Sequence, residues 1–182
     1  DKTITSIPTS SLITHGVQNW RGMTDTKGRR IKRSISIDIK TIKFCDELLL
    51  KKLAKFVELK DHIAEKKKEI DLENKKQKIS QDDLIASGLT NVGLFRQYIF
   101  NYLKDHKGIR DDLTFLIRQL QPGQSGLPIE IYVFTNDTDW INYENIQSDI
   151  FDHLLAVLSA FDLSVFQIIS DNNDQVKRIK DI

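Results

Sequence analysis

From Ile31 onward, Ile35, Ile37 and Ile39 alternate with Ser34, Ser36, Asp38 and Lys40, and this period of two predicts a half-buried strand within residues 29–43. Asp46 then reads as a helix N-cap. Behind it Leu48, Leu49, Leu50, Leu53, Phe56 and Val57 recur at three- and four-residue spacings and draw one apolar stripe on a helix. After the break over Gly88 to Thr90, a second stripe of Leu94, Phe95, Tyr98, Ile99, Tyr102 and Leu103 predicts another helix, ending before Lys107 and Gly108. Residues 113–120 and 128–134 read as strands joined by the Gly-rich loop 122–126, hence as an antiparallel hairpin. Ile146, Ile150, Leu154, Val157 and Phe161 give a long amphipathic helix over 140–161, and residues 163–169 a last strand. The order strand, helix, strand, strand, helix, strand is the split β-α-β arrangement of ferredoxin-like α+β domains.

Three stretches lie outside that frame. Residues 59–83 are dominated by Lys, Glu and Asp, with Ile63, Ile70, Leu72 and Ile79 as the apolar exceptions, and predict an exposed helical extension or hairpin inserted after the first helix. The start, rich in Thr, Ser, Ile and Trp and broken by Pro8, Gly16 and Gly22, reads as short strands over 3–7, 11–15 and 16–23, the remainder of a small β-domain. It opens without Met on a β-like run that has no earlier partner, which reads as a chain cut from something longer. Residues 170–182 turn polar and charged and read as a frayed tail.

Composition narrows the function classes. Of 182 residues, 27 are basic and 26 acidic, for a net charge of +1, so no overall field favours nucleic acid or an anionic membrane. A 40% hydrophobic content suffices for a packed core. The lone Cys45 can form no internal disulfide and fits a reducing compartment. No window approaches the roughly 18–20 apolar residues that span a bilayer, and the first residues lack a signal-peptide core, so the polypeptide as given reads as water-soluble.

Candidate chemistry is sparse. His15, His62, His106 and His153 lie far apart without zinc spacing, and His153, behind Asp149 and Asp152, reads more simply as part of a solvated helix face. The run Gly123-Gln124-Ser125-Gly126 lacks the spacing of a nucleophile elbow and joins two strands, so it is a hairpin loop. Asn136-Asp137-Thr138-Asp139 has the oxygen density of a calcium loop but neither its glycine nor its terminal glutamate, and reads as a turn and helix cap. No phosphate-binding loop or dinucleotide fingerprint is present, so no cofactor is expected. The dense basic run is Lys27, Arg29, Arg30, Lys32 and Arg33, near Trp20 and Arg21. On a strand Arg30 and Lys32 share one face while Arg29 and Arg33 share the other with Ile31, so the run makes no single basic surface. An RNA-binding reading would use these cations with Trp20 as a stacking platform, alongside Phe115, Tyr132 and Phe134, but the glycine-aromatic motif of RRM domains is absent.

The segments Ile7-Pro8-Thr9-Ser10-Ser11-Leu12-Ile13, Asn19-Trp20-Arg21-Gly22-Met23 and Gly28-Arg29-Arg30-Ile31-Lys32-Arg33 together resemble the MscS-like mechanosensitive channels. Thr90-Asn91-Val92-Gly93-Leu94-Phe95-Arg96, the run from Leu116 to Pro122, and the run from Asn136 to Leu155 are similar too, the last of them to the miniconductance branch. The likeness thus covers nearly the whole chain. It implies membrane helices upstream, a Sm-like β-domain of which residues 1–28 would be the C-terminal part, and a ferredoxin-like cytoplasmic domain over 29–169 carrying the insertion 59–83. It implies a homo-oligomer of seven subunits around a vestibule, on the cytoplasmic side of a bacterial inner membrane, that passes ions and small solutes on hypoosmotic shock, with no enzyme activity and no nucleic-acid partner. The short tail is not expected to form the terminal β-barrel of some members. The site residues it suggests are structural: Trp20, Arg21, Gly22, Arg29 and Arg30 at the junction between the β and α/β domains or between subunits. A buried ion pair within one subunit is an equal reading of Arg29 and Arg30. The alternative function is a soluble regulatory or RNA-binding assembly module.

Overall fold

The computed structural model describes residues 6–14, 21–77 and 88–167. Its centre is an antiparallel sheet built on two nine-residue strands, β1 (Arg29–Ile37) and β4 (Leu127–Thr135), paired in register from Arg29 opposite Thr135 to Ile37 opposite Leu127. The alternation of β1 puts Ile31, Ile35 and Ile37 on the buried face, where Val133, Ile129 and Leu127 meet them across the pair. On its other edge β4 pairs with β2 (Ile109–Arg110) and β3 (Leu116–Gln119). The outer edge of β1 receives residues 164–166, where the strand expected over 163–169 is, as far as it is described, a single bridge: Ile37 bridges Val165, Asp38 N–H donates to the Ser164 carbonyl at 2.8 Å, and Phe166 N–H to that of Ser36 at 2.9 Å. The spatial order is therefore final segment, β1, β4, hairpin partner, which is the ferredoxin-like order, and the α+β reading holds.

Helices cover one face. After a 3₁₀ turn (Ile39–Thr41), α3 (Glu47–Leu53) starts at its cap Asp46, which accepts from Leu49 N–H at 2.7 Å. Next come α4 (Val57–Gln77), α5 (Asn91–Lys104) and α6 (Trp140–Val157), the last continuing into a 3₁₀ turn (Leu158–Phe161). Phe95 and Ile99 of α5, Ile150 and Leu154 of α6, and Phe161 form the layer that packs on the sheet, each at most 1% exposed. Full burial of side chains this size contributes about 1.5–3 kcal/mol apiece before chain entropy is set against it.

Several expectations are corrected. Where described, the start of the chain is helical: α1 (Ser11–Thr14) and α2 (Arg21–Thr26) replace the strands expected over 11–15 and 16–23. Threonine favours strands, but here the hydroxyls of Thr14 and Thr26 bond the carbonyls of Ser10 (3.2 Å) and Gly22 (2.7 Å), four residues back. The strand expected over 113–120 is shortened to β3, and β2 is a piece of strand that was not expected; between them residues 111–115 stand opposite Val133 alone. As far as it is described, to Gln77, the charged segment is helical, and its beginning is core: Leu59 and Ile63 are 0% and 4% exposed. The β1 strand is shorter than the alternation suggests, since Asp38 caps the 3₁₀ turn through Lys40 N–H at 3.0 Å. The tail 170–182 and Trp20 lie outside the described residues.

Candidate functional site

The junction that leads into β1 is built by three residues in sequence and three from across the sheet. Lys27 takes a left-handed backbone (φ 50°), which turns the chain out of α2. Gly28, buried, then passes so close to the 111–115 bulge that an added Cβ would stand 2.8 Å from Leu113 Cδ1 and 3.6 Å from Phe134 Cβ. From the far edge, Arg110 of β2 donates to the Thr26 carbonyl while its fork holds Asp112, at 2.8 Å through Nε. The same guanidinium keeps the Asp112 carboxyl below the usual carboxylate range, by its hydrogen bonds first and its charge second.

The residues singled out by sequence are distributed around this junction. Arg21 opens α2, exposed, and pairs with Asp25 at 3.7 Å. Gly22 is uncrowded, for a Cβ there would meet nothing within 4 Å. Arg29 and Arg30 point to opposite sides of the sheet, as the strand parity predicts. Arg29 lies over the Tyr143 ring of α6 at 4.4 Å, and Arg33, on the same side, over Phe151 at 4.6 Å. Both therefore sit on the aromatic faces of the covering helix, where a cation is attracted by the ring quadrupole. Tyr143 adds a direct tie, its hydroxyl donating to the Arg30 carbonyl at 3.1 Å. Among the described residues Arg29 and Arg30 are held by ring contacts and make no ion pair.

The opposite face, helix-free among the described residues, carries Arg30, Lys32, Tyr132, Phe134, Leu116 and Arg118, placed side by side by the register. Arg30 lies 5.6 Å over the Tyr132 ring, which meets Phe134 edge-on. Beneath them Glu130, its side chain only 4% exposed, receives Arg118 through Nε and Nη2, both at 2.7 Å, and has Lys32 at 4.0 Å. Such a paired carboxylate is tolerated at a near-dry position because the fork satisfies both charge and geometry. Sequence reasoning found the cations of β1. It missed Glu130 and Arg118, whose partners lie on neighbouring strands, and Arg110, whose reach to the end of α2 no local pattern marks.

Elsewhere the titratable groups are engaged structurally. His153 Nε2 meets the Tyr98 hydroxyl at 2.6 Å and its ring stacks on Tyr102 at 4.3 Å, so it belongs to an aromatic stack instead of a carboxylate cluster. Burial pushes the Tyr98 hydroxyl up to about 12. Asp139 caps α6 by accepting from Ile141 and Asn142 N–H at 2.9 and 3.1 Å, and Asp137 accepts from Asp139 N–H at 2.8 Å, the capping arrangement expected of that loop. Two shallow depressions between α4 and α5 share Glu58 and Asp105, with His62 and His106 at their margins. Among the described residues no group of three or more His, Cys, Asp or Glu is placed to hold a metal, and no helix is long and apolar enough to cross a membrane.

Residues 31–165 match the family described as mechanosensitive ion channel MscS, C-terminal. The match begins on β1, spans every helix of the covering layer, and ends at Val165, whose bridge to Ile37 completes the sheet. The resemblance noted at the level of motifs is thus carried by the whole α+β body, and the chain belongs to the MscS mechanosensitive channel family, of which it contains the C-terminal domain.

Proposed function

We propose that this chain is the cytoplasmic vestibule part of a mechanosensitive channel of the miniconductance branch, one that releases ions and small solutes on hypoosmotic shock. The supporting observation is the family match over residues 31–165, which coincides with a complete α+β body. In this reading residues 1–28 are the end of a Sm-like β-domain, 29–169 the ferredoxin-like domain with the insertion 59–83, and 170–182 a flexible tail. Membrane helices precede them in the parent protein, and seven copies enclose the vestibule on the cytoplasmic side of a bacterial inner membrane. The domain carries out no catalysis, takes no cofactor and binds no nucleic acid. Trp20, Arg21, Gly22, Arg29 and Arg30 serve at the junction or between subunits, with Gly28 and Arg110 fixing the junction's geometry.

A second reading, an RNA-binding or regulatory assembly module, draws on Tyr132 and Phe134 beside Arg30 on the helix-free face. Patch-clamp recording of the full-length parent, in a host lacking its own mechanosensitive channels, separates the two. Suction-evoked openings that vanish when the upstream segment is deleted support the channel. A well-expressed, correctly inserted parent that stays silent up to membrane rupture, together with salt-sensitive binding of single-stranded RNA by this chain, favours the module.

A further inference from the structure

Two faces on opposite sides of the domain have opposite charge and matching apolar content. The helix-free sheet face sets Arg30, Lys32 and Arg118 around a single carboxylate, Glu130, with Leu116 40% exposed among them and Tyr132 and Phe134 half-buried. The outer face of α6 is the converse. Between Thr135 and Phe166 the chain has no lysine or arginine at all, and Glu144, Asp149 and Asp152 are exposed on this helix. Along the side that looks away from the core, Ile141, Ser148, Asp152 and Leu155 follow at helical spacing, with Ile141 71% and Leu155 45% exposed. The two apolar residues stand singly, which is ordinary on a surface; what sets this face against the sheet face is its charge, acidic throughout with no cation to offset it.

We propose that the acidic outer face of α6 docks on the basic, helix-free sheet face of a second copy of this chain. The proposal rests on the homo-oligomer of the preceding reading and assigns its contact surfaces. The two patches differ and lie on opposite sides of the sheet, because α6 packs on the side of Arg29, Ile31 and Arg33 while Arg30, Lys32 and Tyr132 point the other way. The contact is therefore heterologous: each copy uses one face for one neighbour and the other face for the next, and it closes into the ring of the preceding reading when the rotation from copy to copy completes a turn. Charge complementarity fixes which face meets which and makes the association weaken with salt.

The test is cross-linking in membranes of a full-length parent whose only cysteines are introduced. Ser34→Cys lies on the sheet face and Ser148→Cys on α6, both exposed. With a short bis-maleimide, the double-cysteine protein is expected to give a ladder extending beyond dimers, and each single-cysteine protein none. Arg30→Glu or Asp152→Lys alone lowers the ladder about tenfold, and the two together restore it, because the pairing has been reversed instead of removed. Dimers from either single cysteine, or a charge-reversed pair that is no better than its singles, overturns the proposal. So does absence of the ladder in a parent that still gates under suction, in which case the channel reading stands and only the surfaces are wrong. Loss of RNA binding in Arg30→Glu, with the ladder intact in neither background, overturns it in favour of a nucleic-acid face.

Discussion

The side-chain amide of Asn91 donates to the backbone carbonyl of Phe161 at 3.1 Å, joining the first turn of α5 to the end of the 3₁₀ turn after α6. The same amide donates to the Thr41 carbonyl at 2.9 Å, while its oxygen accepts from Lys43 N–H at 3.0 Å and Val92 N–H at 2.9 Å. Asn91 is fully buried, and one side chain satisfies backbone groups from three segments that have no ladder of their own. Replacing it with alanine leaves those groups without partners in a dry site. Asn91→Ala is expected to cost about 2–4 kcal/mol, read from the urea midpoint at unchanged slope. A loss below about 1 kcal/mol would mean that water takes over the amide's role.

Two glycines separate crowding by backbone from crowding by side chain. Gly126, with φ 86°, exchanges backbone hydrogen bonds with Gly123 in the hairpin loop, and an added Cβ would stand 2.3 Å from the Ile37 carbonyl oxygen. At Gly28 the obstacle is only the end of the Leu113 side chain, which can turn away. Gly126→Ala is expected to cost about 2–4 kcal/mol and Gly28→Ala under about 1 kcal/mol, compared by thermal or urea unfolding. Equal losses would show that the close approach of β4 to Ile37 is not what selects glycine.

Arg118 and Glu130 form a pair whose carboxylate is nearly dry while the guanidinium is half exposed. Removing the arginine leaves the carboxylate with Lys32 alone, so Arg118→Met should destabilise by about 2 kcal/mol. Adding Glu130→Leu to it should recover most of that loss, since a buried pair replaced by apolar groups is often close to neutral. A double-mutant cycle measures the coupling, and additive losses would remove the pair from any part in holding the face flat.

Burial holds the His106 ring below its ordinary 6.5, with Asp149 opposing, and the Gly108 N–H donates to its Nδ1 at 3.0 Å, which requires that nitrogen to be unprotonated. His62 is lowered too, by burial first and by Lys66 second. A depressed folded-state pKa contributes stability that is present above the unfolded value and lost as pH falls through the folded one. The urea midpoint should therefore drop as pH goes from about 7.5 to about 5, and His106→Gln should flatten that drop. The carboxylates lowered by hydrogen bonds, Asp112, Asp137 and Asp162, act in a separate window, below their ordinary 3.8. A midpoint flat down to about pH 5 would remove His106 as a contributor.

How much of this was legible depends on where each residue's partner lies. The period of β1, the hairpin, the caps at Asp46 and in the 136–139 turn and the stripes of α5 and α6 are local signals, and the structure follows them to within a few residues. The break between α3 and α4 carries no glycine or proline; it comes from Phe56, whose ring turns in to meet Tyr98 and Phe161. The bulge at 111–115 exists because Leu113 meets Gly28 and Arg110 reaches Thr26, contacts more than eighty positions apart that no window contains. At the candidate site, parity alone sent Arg29 and Arg30 to opposite faces. That they would rest on Tyr143 and Tyr132 required knowing what packs on each face.

The strap from Arg110 to Thr26 sets the direction in which the sheet yields to a pull on the segment before β1. A load along the axis of β1 shears its whole ladder with β4, Arg29 to Ile37, at once, whereas a sideways load peels the strand open one rung at a time beginning at Arg29. Arg110 holds the last residue of α2 against the β2 edge, just ahead of that first rung, and so blocks the peeling mode at its starting point. A sideways pull on the segment before β1 therefore meets this contact before it reaches the first rung of the ladder.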